Sequence, residues 1–337
     1  MNKATAFSEK ELIFVVVNSI ITKLYLLYPK TVISYGKSAS ILLTLSVIAV
    51  GYIFVFTVAS LFNKRGLKLN KITSIIIALT LICISGLFLR SVSESINITL
   101  LPNISVHLIS LFFITGVCIA VYSGLKAIVR SHAVIVPITL TVTLIMLLSN
   151  IKHININNIY PVFGDGISSF TPIFMLSSYF SDFFLVTLIS KYMSKNTNAK
   201  KVIIKGFAVS SVILLLMISF ILLTINESTI IPVYKLAQNI GVGSYTPRLE
   251  VIYSFVWFLS FYLNFSFIIC MCNNLLCGGK TNKKLIIPLA LVSFAISILP
   301  KNTNQLEMSL NALMYVRIAV FYILPVVIML FKRRQKI

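Results

Sequence analysis

Ten apolar runs, each close to the length of a membrane crossing and parted by short polar segments, limit what this chain can fold into. A bilayer core of ~30 Å takes ~20 apolar residues at ~1.5 Å per helical residue. By that ruler the runs are 11–28, 39–62, 72–89, 106–128, 133–148, 170–189, 202–225, 251–273, 285–299 and 310–331. The fifth and ninth are short, which less tilt or cover from neighbouring helices accommodates. With 58% hydrophobic and 11% charged residues, the chain is far too apolar for a soluble domain of its size. The expected fold is an all-α polytopic membrane protein of about ten helices, one integral membrane domain over 1–337. Helices one to five fall in about 11–150 and six to ten in about 169–331. Because nine further apolar runs follow the first, that first run is expected to stay in place and not to act as a cleaved leader.

The net charge of +21 is topogenic. Lys and Arg sit in short clusters between apolar runs and form no extended basic face, which argues against a nucleic-acid partner. With the N-terminus inside, the inner segments hold Lys3, Lys10, Lys64, Arg65, Lys68, Lys71, Lys126, Arg130, Lys191, Lys195, Lys200, Lys201, Lys205, Lys280, Lys283, Lys284, Lys332, Arg333, Arg334 and Lys336. These are 20 of the 29 basic residues. An even number of crossings then puts both termini in the cytoplasm. The outer loops include Tyr160-Pro161-Val162-Phe163-Gly164-Asp165-Gly166, in which Gly-Asp-Gly reads as a turn, and the apolar stretch 230–240, which reads as a short interfacial helix.

Ionisable residues within the runs cost about 2.5–3.5 kcal/mol each near a helix centre and call for a reason. Lys23, six residues before Pro29, either snorkels to the outer surface or belongs to a site. Asp182 is too short to snorkel and shares a polar face with Ser177, Ser178 and Ser181, so it serves a site or an ion pair. Tyr253, Trp257, Ser260 and Asn264 form one face of the eighth helix, suited to packing or to a pocket. Arg90 and Glu94 are spaced to pair, and Arg317 needs an acidic partner from another helix. Cys83, Cys118, Cys270, Cys272 and Cys277 make neither a disulfide framework nor a metal site, and no cofactor motif stands out. With eight acidic residues and no nucleophile or paired carboxylates at recognisable spacing, the chain is not read as an enzyme.

Certain motifs, in order, carry a resemblance over nearly the full length. They are Phe7-Ser8-Glu9-Lys10-Glu11-Leu12, the stretch Tyr122-Ser123-Gly124-Leu125-Lys126-Ala127-Ile128-Val129-Arg130 with Pro137 beyond it, Tyr160-Pro161-Val162 before Gly164 and Gly166, and Pro247-Arg248-Leu249-Glu250 followed by Trp257. Together they resemble the B subunit family of spore germinant receptors, the endospore germination permeases of the amino acid-polyamine-organocation transporter superfamily. Arg248 and Glu250 look like that family's signature at the mouth of helix eight. Locally, Pro247 suits a first helical turn and Glu250 meets the positive end of the helix dipole.

The resemblance implies two inverted five-helix repeats, with helices one and six interrupted near the midplane where freed backbone groups form a substrate site. On that basis a pocket is expected between helices one, three, six and eight, lined by Thr22, Lys23, Tyr25, Ser85, Gly86, Ser177, Ser178, Tyr179, Asp182 and Trp257. Lys23 and Asp182 pair there, or Lys23 meets a ligand carboxylate. At Ser19-Ile20-Ile21-Thr22-Lys23 the chain departs from the small, Gly-containing stretch usual in the family. The implied role is a membrane subunit that senses a small nutrient, an amino acid, beside an A-type membrane subunit and a C-type lipoprotein. The alternatives are a proton-coupled amino acid permease, with Asp182 titrating, and a structural scaffold with a degenerate pocket.

Overall fold

A computed structural model describes residues 7–25, 28–61, 70–189, 192–193, 198–225, 231–240, 249–279 and 281–328. Among these the regular structure is helical, apart from one isolated bridge between Phe7 and Met193. The helices are α1 (Glu9–Leu24), α2 (Tyr28–Gly36), α3 (Ser40–Leu61), α4 (Lys71–Thr99), α5 (Val106–Ser123), α6 (Leu125–Ser149), α7 (Ile173–Ser177), α8 (Phe183–Leu188), α9 (Ala199–Thr224), α10 (Pro232–Gln238), α11 (Leu249–Leu276), α12 (Ile286–Ile298) and α13 (Thr303–Ile318). A 3-10 segment, Ser178–Asp182, joins α7 to α8, and a π-helical turn, Ala319–Ile323, extends α13. Among the described residues, eight helical stretches are long and apolar enough to cross a membrane by length and composition. Large apolar side chains such as Phe112, Ile119 and Phe255 stand outward on them as lipid-facing groups do. The protein is thus a multi-pass membrane protein.

Local chemistry sets the helix ends. Ser8 caps α1 by accepting from the Glu11 amide at 3.3 Å, while Glu11 accepts from the Ser8 amide at 2.8 Å, the reciprocal pair of a capping box. The first crossing does not end before Pro29. The apolar run over 11–28 misplaced it, because Pro29 is the second residue of α2, where its fixed φ and missing N–H are harmless. The crossing therefore comprises α1, which ends in a turn at Tyr25, and α2; residues 26 and 27 lie outside the described residues. The fourth run likewise overshot to 128, since both sides of the boundary are apolar. The chain turns at Gly124, whose φ of 90° closes α5 and opens α6, a conformation that suits glycine. The fifth helix, with 25 residues, is accordingly not short, and the third extends to Thr99 with Arg90 and Glu94 paired at 2.9 Å. The stretch 230–240 does hold a short helix, α10. Its apolar residues Val233, Leu236 and Ala237 are buried, and the Asn150 amide donates to the Leu236 carbonyl at 3.0 Å, so α10 turns its apolar side to the protein.

The packing repeats with an offset of five crossings. The first crossing lies on the seventh (α1 on α9), and the sixth on the second (α7 on α3). The third lies on the ninth (α4 on α12) and the eighth on the fourth (α11 on α5). The first meets the fifth (α1 on α6) as the sixth meets the tenth (α7 on α13), and the eighth meets the fifth (α11 on α6) as the third meets the tenth (α4 on α13). Five is odd, so each second-half helix runs opposite to its counterpart, and the repeat is inverted.

Small residues permit the closest approaches. A Cβ at Gly86 of α4 would stand 2.6 Å from the Ile296 Cβ and 2.8 Å from the Ser293 carbonyl of α12. Gly86→Val is expected to overpack this contact by about 1–3 kcal/mol. It should lower the melting temperature of the purified protein, and an unchanged melting curve would refute the close α4–α12 packing.

A charged junction at two interrupted helices

The C-terminal end of α1 and the irregular middle of the sixth crossing meet inside the bundle. The sixth is not one α-helix. Ser178–Asp182 is 3-10, and Ser177 and the five residues of that segment are all buried. The polar face read at α-helical spacing is therefore wound at the tighter 3-10 pitch. Its backbone is served by other helices. The Lys23 ammonium donates to the Tyr179 carbonyl at 2.7 Å, and the Tyr322 hydroxyl donates to the Ser177 carbonyl at 3.0 Å. Freed carbonyls inside an apolar bundle need such donors.

Three charges converge here. Lys23 Nζ lies 2.5 Å from Asp182 Oδ2, and Arg317 Nη2 lies 2.6 Å from Asp182 Oδ1. Arg317 also donates to the Ser181 hydroxyl from Nε at 3.1 Å and Nη2 at 3.0 Å, and its guanidinium sits 5.9 Å from the centre of the Tyr179 ring. The three side chains are 2–3% exposed. Lys23 therefore does not snorkel: it points into the bundle from the last turn of α1. One carboxylate thus faces two basic side chains.

Beside it runs a second polar seam. The Tyr25 and Thr143 hydroxyls are 2.5 Å apart, and the Tyr25 ring packs on Tyr253 and Trp257 at centroid distances of 5.7 and 5.5 Å. Val233 and Tyr234 of α10 close over this aromatic group. The eighth-helix stripe is buried as one face. Asn18 donates to the Ser260 carbonyl at 2.8 Å, the Ser260 and Thr139 hydroxyls are 2.6 Å apart, and Asn264 donates to Thr22 at 3.1 Å. Trp257 Nε1 and Asn264 Oδ1 are buried with no hydrogen-bond partner among the described residues.

Of the residues expected in one pocket, Lys23, Ser177, Ser178, Tyr179 and Asp182 meet at the junction, and Thr22, Tyr25 and Trp257 lie on the seam. Ser85 and Gly86 do not join them. Ser85 pairs with Ser293 of α12 at 2.7 Å, and Gly86 packs against Ile296. Glu250 stands in the first turn of α11, where its carbonyl accepts from Ser254 at 2.7 Å. Arg248 and Pro247 lie outside the described residues, as do the basic residues at 3, 64, 65, 68, 191, 195, 280, 332–334 and 336. Arg317, Ser181 and Tyr322 were absent from the expected pocket. The signal for Arg317 was present, since a cation in an apolar run without an acid on its own helix must find one on another. Among the described residues no cluster suits a metal ion.

The triad orders the effects of removing its members. Lys23→Met leaves Asp182 and Arg317 as a balanced pair and should keep membrane abundance near native. Asp182→Asn leaves two buried cations uncompensated, at a cost of about 3–5 kcal/mol, and should deplete the protein from the membrane. Adding Lys23→Met to Asp182→Asn should recover part of that loss. Quantitative immunoblots of membrane fractions test the order, and equal abundance of all three variants would show that the triad does not support the fold.

Solved structures share this architecture. Mhp1, a nucleobase-cation-symport-1 family transporter in a closed conformation with bromovinylhydantoin bound, superposes with a TM-score of 0.63 at 14% identity, covering 95% of this chain and 78% of that one. The manganese transporter of Eremococcus coleocola superposes with a TM-score of 0.55 at 14% identity, over 96% and 80%. At that identity the likeness is one of fold. In sequence the chain is 25% identical to spore germination protein B2 of Bacillus subtilis over 174 residues, which is 50% of this chain and 47% of that protein. It is 25% identical to spore germination protein A2 of Bacillus subtilis over 250 residues, 71% of this chain and 67% of that one. The chain thus spans about half the length of the first relative and two thirds of the second. The spore permease model, described as spore germination protein, matches residues 7–306, and the chain belongs to that family.

Proposed function

We propose that the chain is the B-type membrane subunit of a spore germinant receptor. In this reading it binds a small nutrient, an amino acid, within the helix bundle and passes a conformational change to an A-type membrane subunit and a C-type lipoprotein in the spore inner membrane. The observation that carries the reading is the junction itself. Two interrupted helices are held together by Lys23, Asp182 and Arg317, so a ligand that favours one arrangement of these contacts shifts the whole bundle toward it. Membership of the spore germination protein family supports the biological setting. Both termini and the Lys-rich segment at 191–205 face the cytoplasm in this reading, because that orientation gathers 20 of the 29 basic residues on one side.

The transporter folds of the structural neighbours favour a second reading, a proton-coupled amino acid permease. Asp182 would then carry the proton, and each cycle would have to break ion pairs to both carboxylate oxygens. Uptake of radiolabelled amino acids into proteoliposomes under a proton gradient separates the two, since a receptor subunit gives none.

Deleting the gene in its spore-forming host should abolish or narrow release of dipicolinic acid in response to particular amino acids. The spore yield should stay normal, and the intact gene should restore the response. Unchanged release toward all twenty standard L-amino acids would overturn the reading. For the orientation, reporter fusions after Asn198 and after Asn103 should report opposite sides of the membrane, and identical sidedness would overturn it.

A further inference from the structure

A cleft of about 340 Å³ opens between α2 and α13, away from the aromatic seam that α10 closes. This is near the small end of the ~300–1,000 Å³ found for ligand pockets. Lys30 of α2 and Glu307 of α13 form an ion pair at its wall, each about one third exposed, at 34% and 39%. Thr31, Ser34 and Asn311 add polar groups to the lining, which also includes Tyr179 and apolar side chains such as Leu310 and Met314. Tyr179 belongs to the junction as well, through its carbonyl to Lys23 and its ring to Arg317.

We propose that this cleft is a binding site for a small zwitterion, an α-amino acid, with Lys30 taking the carboxylate and Glu307 the ammonium. The inference rests on the nutrient-sensing reading and adds to it the site and the charge pattern that recognises the ligand. A partly exposed ion pair is worth only about 0–1 kcal/mol, so Lys30 and Glu307 exchange each other for a ligand at little cost. A zwitterion restores both pairings at once, in a place where the cleft walls exclude part of the water. A simple anion leaves Glu307 facing a like charge, and a simple amine does the same to Lys30. A dianion such as phosphate meets one cation and one carboxylate, which is poor complementarity. A ligand seated here touches Tyr179 directly, and Tyr179 is in contact with both cations of the triad. Occupancy of the cleft is thereby linked to the junction through a single residue, by its backbone carbonyl and its ring.

The test uses the full chain in lipid nanodiscs, with each of the twenty standard L-amino acids added singly and binding read as a rise in the unfolding temperature. The expected result is that at least one amino acid stabilises the protein, whereas its decarboxylated and deaminated analogues do not. Lys30→Met and Glu307→Gln should each weaken that binding by about tenfold or more, the loss of one charge-assisted hydrogen bond. Their ligand-free unfolding temperatures should stay close to native, because the pair is partly exposed. Lys30→Met should also discriminate less against the decarboxylated amine, and Glu307→Gln less against the deaminated acid. If an amino acid stabilises the native protein and both variants equally, the cleft is overturned as the site while the nutrient-sensing reading stands. Stabilisation by no amino acid overturns the zwitterion site together with the amino acid part of that reading.

Discussion

One carboxylate organises the centre of this protein. Asp182 offers one oxygen to Lys23 of α1 and the other to Arg317 of α13, and so ties the first, sixth and tenth crossings at one point. A buried ion pair contributes little net stability, because the desolvation of its members offsets their attraction. What it does enforce is geometry, since any arrangement that separates the three leaves a bare charge in an apolar bundle at a cost of several kcal/mol. The 3-10 interruption of the sixth helix is compatible with the membrane interior for a similar reason. Cationic and hydroxyl donors from neighbouring helices serve carbonyls that a continuous α-helix would have served itself.

Much of the architecture was legible in the chain. Apolar run length and the placement of Lys and Arg are imposed by the bilayer, and they mark crossings without reference to tertiary contacts. The ends were less legible where hydropathy does not change. Gly124 turns the chain between two apolar runs, and only the glycine itself betrays the turn. Pro29 resembled a terminator and is instead part of a first helical turn. That single misreading placed Lys23 near the membrane surface, where snorkelling is a reasonable alternative, although Lys23 lies in the last turn of α1 with 3% exposure.

The candidate site was legible in proportion to the cost of burying each residue. Lys23, Asp182 and Arg317 are charged, and a charge within a crossing demands a partner whatever the fold. Ser85 and Gly86 are small and weakly polar, and the same composition serves a pocket or a close helix contact equally well; here it serves the contact with α12. Lys30 and Glu307 were missed because they lie 277 positions apart and outside the apolar cores of their helices. Only the inverted packing of the two repeats brings α2 and α13 to face each other across the cleft.

The tight winding of Ser178–Asp182 sets how this junction can move. A 3-10 helix rises ~2.0 Å and turns ~120° per residue, against ~1.5 Å and ~100° for an α-helix. Rewinding the five residues of this segment to α pitch would shorten it by about 2.5 Å and rotate one end against the other by about 100°. Asp182 closes the segment, so its carboxylate would swing away from at least one of its two cations. Such a rewinding would work as a short screw thread: a small axial displacement of α7 would become a large rotation at the ion cluster.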